Sequence, residues 1–160
     1  MYHFVEFATK NAKLVDKELL KNVRENWLNS IFEFGHVDFQ KKVWLEAAYK
    51  TYVSDYTESI CQYFDDLDLS SGFDKFVNHG FATQSEYEIL KRFDAELRKY
   101  TERTEKRNLT DKQILLDPEW IEITNLAKTA WHKLKTVIEN PNEIAFMHSL
   151  ETQFLNENGT

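Results

Sequence analysis

Cysteine is almost missing from these 160 residues: Cys61 stands alone. No internal disulfide framework and no cysteine pair for a metal can form, and such usage suits a reducing compartment, so a cytoplasmic protein is expected. Glycine and proline are scarce too, at four and two, too few to punctuate a many-stranded sheet. Basic charge is in deficit, with 20 lysines and arginines against 27 aspartates and glutamates and a formal net charge of −7. Nucleic-acid and anionic-membrane binders draw their affinity from clustered Lys and Arg. Neither direct nucleic-acid contact nor a membrane is therefore expected; a basic protein partner is. No stretch approaches the roughly 20 apolar residues that cross a bilayer. The opening Met-Tyr-His-Phe-Val-Glu-Phe lacks the basic start and apolar run of a secretion signal.

What is present is apolar and aromatic, 42% and 14% of the chain, enough for one substantial core and a single helical domain over residues 1–160. The long intervals between glycines and prolines carry helical periodicity. A first helix is predicted over 13–34, with Leu14, Leu19, Val23, Trp27 and Ile31 on one face; the preceding YHFVEF fits either a short extended segment or a first helical turn. A second is predicted from Asp38, a capping residue, to about Phe64, with Val43, Ala47, Tyr52, Tyr56, Ile60 and Phe64 inward. Phe73, Phe76 and Val77 mark a short helix. Thr83-Gln-Ser-Glu86 is a capping box opening the helix of Leu90, Phe93, Leu97 and Tyr100. Residues 102–112 are nearly devoid of apolar side chains and read as a long mobile loop or a frayed helix end. Asp117-Pro118-Glu119 and Asn140-Pro141-Asn142-Glu143 are start signals for two more helices. The expected architecture is an all-α, compact bundle of five to six helices.

The stretch Tyr63-Phe-Asp-Asp-Leu-Asp-Leu-Ser-Ser-Gly-Phe-Asp74 raises the question of calcium. A twelve-residue calcium loop begun at Asp66 would gain ligands from Asp68, Ser70 and Asp74. It fails at the sixth position, Ser71 instead of glycine, and at the twelfth, Val77 instead of a bidentate glutamate. No metal or other cofactor is expected. The acidity itself still asks for a reason. Between 51 and 74 stand Asp55, Glu58, Asp65, Asp66, Asp68 and Asp74 without one Lys, Arg or His, whereas elsewhere the two signs interleave. Tyrosines beside charge of one sign are common at interfaces, where rings supply contact area and charge supplies steering. Tyr56, Glu58, Tyr63, Asp65, Asp66, Asp68 and Asp74 are the candidate partner-binding residues. The plainer alternative makes the tyrosines core and the acids merely solvated.

Other constellations carry less. Glu33-Phe-Gly-His36 has the Glu-x-x-His spacing of di-iron bundles, but those need it twice with two further glutamates. His148 and Glu151 lie within one helical turn, as many surface pairs do, and Cys61 beside an inward face reads as a small core residue. No phosphate loop, zinc-protease motif or nucleophile elbow occurs, so catalysis is not expected; a metal-binding or catalytic bundle and a helical adaptor are the alternatives.

The run GFDKFVNHGFATQSEYEILKRFDAELRKY and the later ILLDPEWIEITNLAKTAWHKLK resemble the layout of small bacterial immunity proteins, including those of contact-dependent growth inhibition systems. The resemblance lies in a short aromatic helix and a glycine, a capped acidic helix ending Phe-x-x-x-Leu-x-x-Tyr, and a helix opened by Asp-Pro-x-Trp with Leu-Ala at its centre. It covers residues 72–138. It implies a non-catalytic antitoxin that binds a cognate toxin domain, often a nuclease, inside the producing cell. It transfers no binding residue.

Overall fold

A computed structural model describes residues 2–155, with the backbone alone for residues 2–15. Its eight helices among the described residues are α1 (Tyr2–Gly35), α2 (Val37–Gln40), α3 (Tyr56–Cys61), α4 (Phe73–Asn78), α5 (Gln84–Glu102), α6 (Asp111–Leu115), α7 (Pro118–Val137) and α8 (Pro141–Phe154). No strand occurs among these residues. The expected all-α class holds, with more helices than the five to six expected. The backbone is helical from Tyr2, so the extended alternative for YHFVEF is not taken. None of the helices is long and apolar enough to cross a membrane.

The inward faces follow the apolar spacing. α7 lies between α1 and α5 and packs on both, with α8 against α1. Trp27 and Ile31 of α1, Leu90, Phe93, Leu97 and Tyr100 of α5, and Trp120, Ala127, Trp131 and Leu134 of α7 form one buried core. Phe34 sits at its centre, with ring centroids of Tyr63, Phe93 and Trp120 at 5.7, 5.6 and 6.1 Å. Such ring pairs add about 0.5–1.5 kcal/mol each beyond their buried area. α1 and α7 touch backbone to backbone: a Cβ on Gly35 would stand 3.1 Å from the Lys128 nitrogen and 3.2 Å from its Cα. Only the missing side chain lets the two helices close. Leu19 is the exception on α1; at 48% exposure it lies outside the core. Among the described side chains of α1 the core-facing ones begin at Val23; Leu14, also expected inward, lies outside the described side chains.

The helix starts legible in sequence are built as capping chemistry requires. Thr83 Oγ1 accepts from the Glu86 amide at 3.1 Å while the Glu86 carboxylate accepts from the Thr83 amide at 2.8 Å. Asp117 and Asn140 each accept from the amide two residues on, at 3.0 and 2.9 Å. An unanticipated box, Thr110 with Gln113, opens α6.

The second helix departs from expectation. α2 widens into a π-helical turn at Lys41–Leu45, the chain runs irregularly through 46–55 with Ala47 exposed at φ 49°, and helix resumes at Tyr56. Glu33 is the cause. Its carboxylate accepts from Trp44 Nε1, Tyr52 Oη and Ser54 Oγ, each at 2.8 Å. In a continuous helix Trp44 and Ser54 would stand ~15 Å apart along the axis; to reach one carboxylate the chain must fold back. Residues 102–112 depart in the opposite sense. They carry a 3₁₀ turn at Thr104–Lys106 and the first turn of α6. Lys106 Nζ bonds Asp117 at 2.6 Å, and Arg103 bonds Glu105 at 2.7 Å and also Glu119. Charged side chains hold the link where apolar ones are lacking.

Candidate functional site

The acidic segment is assembled from several short pieces. Asp55 is extended (φ −147°, ψ −178°), and its carboxylate accepts from the Glu58 amide at 2.7 Å to open α3. α3 widens into a second π-helical turn, Gln62–Asp66, which carries Asp65 and Asp66. Asp68 then adopts a left-handed conformation (φ 58°, ψ 27°), a 3₁₀ turn follows at Leu69–Ser71, and Gly72 at φ 118° starts α4. A side chain at Gly72 would be strained there and would meet Asp74 Oδ1 at 2.5 Å. In and out alternate along this turn. Leu67, Leu69 and Phe73 are buried, while Asp65, Asp66, Asp68 and Asp74 are exposed. The Ser71 hydroxyl donates to Asp68 Oδ1 at 2.8 Å.

None of Asp55, Glu58, Asp65, Asp66, Asp68 and Asp74 makes an ion pair among the described side chains. Every carboxylate that does so belongs to residues 86–151. Cys61, the adjacent titratable group, registers the excess: burial, then Asp65 and Glu58, push its thiol up. No cluster of three or more His, Cys, Asp or Glu with the arrangement to hold a metal ion occurs among the described residues.

The aromatic members part company with the acids. Tyr63 is fully buried, and its hydroxyl donates to Asp94 Oδ2 at 2.7 Å; Arg98 holds Asp94 Oδ1 at 2.6 Å and donates to the Leu69 carbonyl. Tyr63 is thus withdrawn from the candidate contact residues: it pins the acidic turn to α5 from beneath. Tyr56 is half-buried, its ring against Trp44 and Trp120 at 6.0 and 5.4 Å. Burial and then Asp111 push its phenol up to about 12. Phe64 lies 5.1 Å from the Arg98 guanidinium, and Phe73 is core. Glu58 is exposed and accepts from Gln62 Nε2 at 3.2 Å.

Two further polar clusters are buried in the bundle, one joined to the acidic segment through Ser54 and one at the meeting of α1, α5 and α8, and neither was legible in the sequence. Glu33 is 1% exposed and has three neutral donors; burial is the chief cause that raises its pKa. Arg24 on α1 donates to both oxygens of Glu86 (2.6 and 2.8 Å) and of Glu143 (3.0 and 2.6 Å), so α1, α5 and α8 meet at one guanidinium. Burial opposes its charge, but the two carboxylates outweigh that and raise its pKa. Both residues stand in the mainly apolar and neutral run 23–35 of α1, where Arg24, Glu25 and Glu33 are the charged residues.

Glu33 and His36 turn to different partners. His36 Nδ1 lies 2.7 Å from the Phe32 carbonyl, and burial pushes its pKa down, so the ring is neutral at pH 7. His36 also lines a cleft of about 350 Å³ beside Lys128 and His132. His148 and Glu151 do meet, at 3.3 Å, but Glu151 is also taken by Trp131 and Lys135.

No family model, no curated protein and no solved structure matches this chain. The functional reading therefore comes from its own geometry.

Proposed function

We propose that this chain is an immunity protein: a non-catalytic inhibitor that binds a cognate toxin domain, a nuclease, in the cytoplasm of the producing cell. The observation that carries the reading is a set of six carboxylates on residues 55–74 with no ion-pair partner among the described side chains. The buried leucines and Tyr63 beneath them tie the segment to the core. A nuclease must draw phosphate with Lys and Arg, and a surface that sets carboxylates where phosphates would lie competes for that same cleft. Opposite charge speeds encounter, and a contact area of about 1,600 Å² would be ordinary for such a pair. The resemblance of residues 72–138 to immunity proteins of contact-dependent growth inhibition points the same way. With Tyr63 withdrawn, the contact residues are Glu58, Asp65, Asp66, Asp68 and Asp74, with the half-buried Tyr56 at their edge.

The test is co-expression with the toxin domain encoded immediately upstream, read as rescued growth and co-purification. Charge reversal at Asp65 and Asp66 together is expected to slow association about 10-fold or more at low salt, with an unchanged melting curve. Unaltered association kinetics in that variant would remove the acidic segment from the interface.

A further inference from the structure

A small hollow of about 230 Å³ opens between α1 and the second π-helical turn, beside the acidic segment. Its polar lining is rich in oxygen. Asn29 Nδ2 donates to Tyr52 Oη at 2.8 Å, and since that hydroxyl donates in turn to Glu33, the amide orientation is fixed and Asn29 Oδ1 is left over. Gln62 Nε2 donates to the Glu58 carboxylate, which can accept alone, so Gln62 Oε1 is left over in the same way. Ser30 is 4% exposed and lines the hollow. Its Oγ makes no hydrogen bond among the described residues and is not sealed in by packing. Asp66 adds a carboxylate without an ion pair, Asn26 adds an exposed amide, and no Lys, Arg or His is among the lining residues. Val23 and Leu67 supply the apolar remainder.

We infer that this hollow receives one arginine side chain of the partner. A hydroxyl on a nearly buried serine normally finds an acceptor or donor within its own fold; Ser30 keeps its hydroxyl unpartnered within the fold and is accessible at the hollow. A guanidinium offers five N–H donors in one plane and no acceptor, which suits leftover oxygens around one carboxylate better than a compact ammonium does. Its three-carbon stem lies along apolar surface such as that of Val23 and Leu67. Size argues the same way, since pockets for drug-sized ligands span about 300–1,000 Å³ and this one is smaller. The inference rests on the inhibitor reading for the partner's identity alone.

The test needs no toxin. Isotope-labelled chain is titrated with propylguanidinium, and with butylammonium in parallel, by nuclear magnetic resonance. Propylguanidinium is expected to give saturable shifts centred on Ser30 and on the side-chain amides of Asn26, Asn29 and Gln62. Asp66→Asn should weaken binding about fivefold or more and Ser30→Ala about twofold, with melting curves unchanged. The inference is overturned by shifts spread evenly over 55–74, by equal binding of butylammonium, by indifference to Asp66→Asn, or by no saturation up to ~0.1 M, where millimolar affinity would show. If the titration fails while co-purification succeeds, the inhibitor reading stands without this pocket. If co-purification fails while the titration succeeds, the cation pocket stands and the partner is another protein.

Discussion

A carboxyl group enclosed by an indole, a phenol and a hydroxyl, as Glu33 is, holds its proton longer than one in water. An unfolded glutamate ionises near 4.3, and the folded Glu33 ionises at higher pH because burial opposes the charge. The folded state therefore binds the proton more tightly. The stabilisation this brings is complete below about pH 4 and is lost as pH rises through the raised value. Glu33→Gln removes the titration, so thermal melts of the variant should fall less than those of the parent as pH is raised above the ordinary glutamate value of about 4.3. Glu33→Ala strands three donors and is expected to cost about 3 kcal/mol or more in urea unfolding. Cys61 gives a second residue-level reading. Because Asp65 and Glu58 add to burial in keeping its thiol protonated, Asp65→Asn should speed alkylation by iodoacetamide at pH 8 by about threefold. Neither effect was legible in sequence, since each depends on which side chains the fold brings within hydrogen-bonding distance.

Among the elements, the starts of α5, α7 and α8 could be read directly because capping is local: the cap and the backbone amide that donates to it lie within three residues. The inward faces of α5 and α7 could be read for the same reason, as a fixed spacing of apolar residues. Residues 46–55 could not. Their apolar pattern suits a helix, and the Glu33 carboxylate, more than ten residues away in sequence, overrides it. Tyr63 and Asp66 lie in one π-helical turn yet face opposite ways, so composition alone could not divide core from surface there. The crossing of α1 on α7 gives an element-scale prediction. Gly35→Ala places a methyl group against Lys128 backbone that cannot yield as a flexible side chain would, and should cost about 1–3 kcal/mol by denaturation. Arg24 joins three helices, so Arg24→Ala leaves Glu86 and Glu143 without their cation and should cost about 3–5 kcal/mol.

At the scale of the whole molecule, the net charge of −7 is distributed unevenly. The ion-paired carboxylates among the described side chains all fall within residues 86–151, and the run from Asp55 to Asp74 has none. A field of this kind reaches only about a Debye length, near 10 Å at 0.1 M salt. Association with a cationic partner should accordingly slow steeply between low and physiological ionic strength, while dissociation changes little; stopped-flow mixing across a salt series measures both. A flat association rate would mean that the excess charge does not steer binding. The acidic run itself was plain in the sequence, and its lack of ion pairs among the described side chains became visible only once the lysines and arginines of α5 and α7 had been placed, Arg98 pairing with Asp94 instead.

The alternation along the turn at 66–74 separates two duties by position. Leu67, Leu69 and Phe73 keep the loop's shape, and the outward positions between them carry no weight in the core. Asp65, Asp66 and Ser70 can be rewritten singly without disturbing the frame, whereas the left-handed Asp68 and Gly72 belong to it, so one scaffold could be re-addressed to a different target by a few surface substitutions.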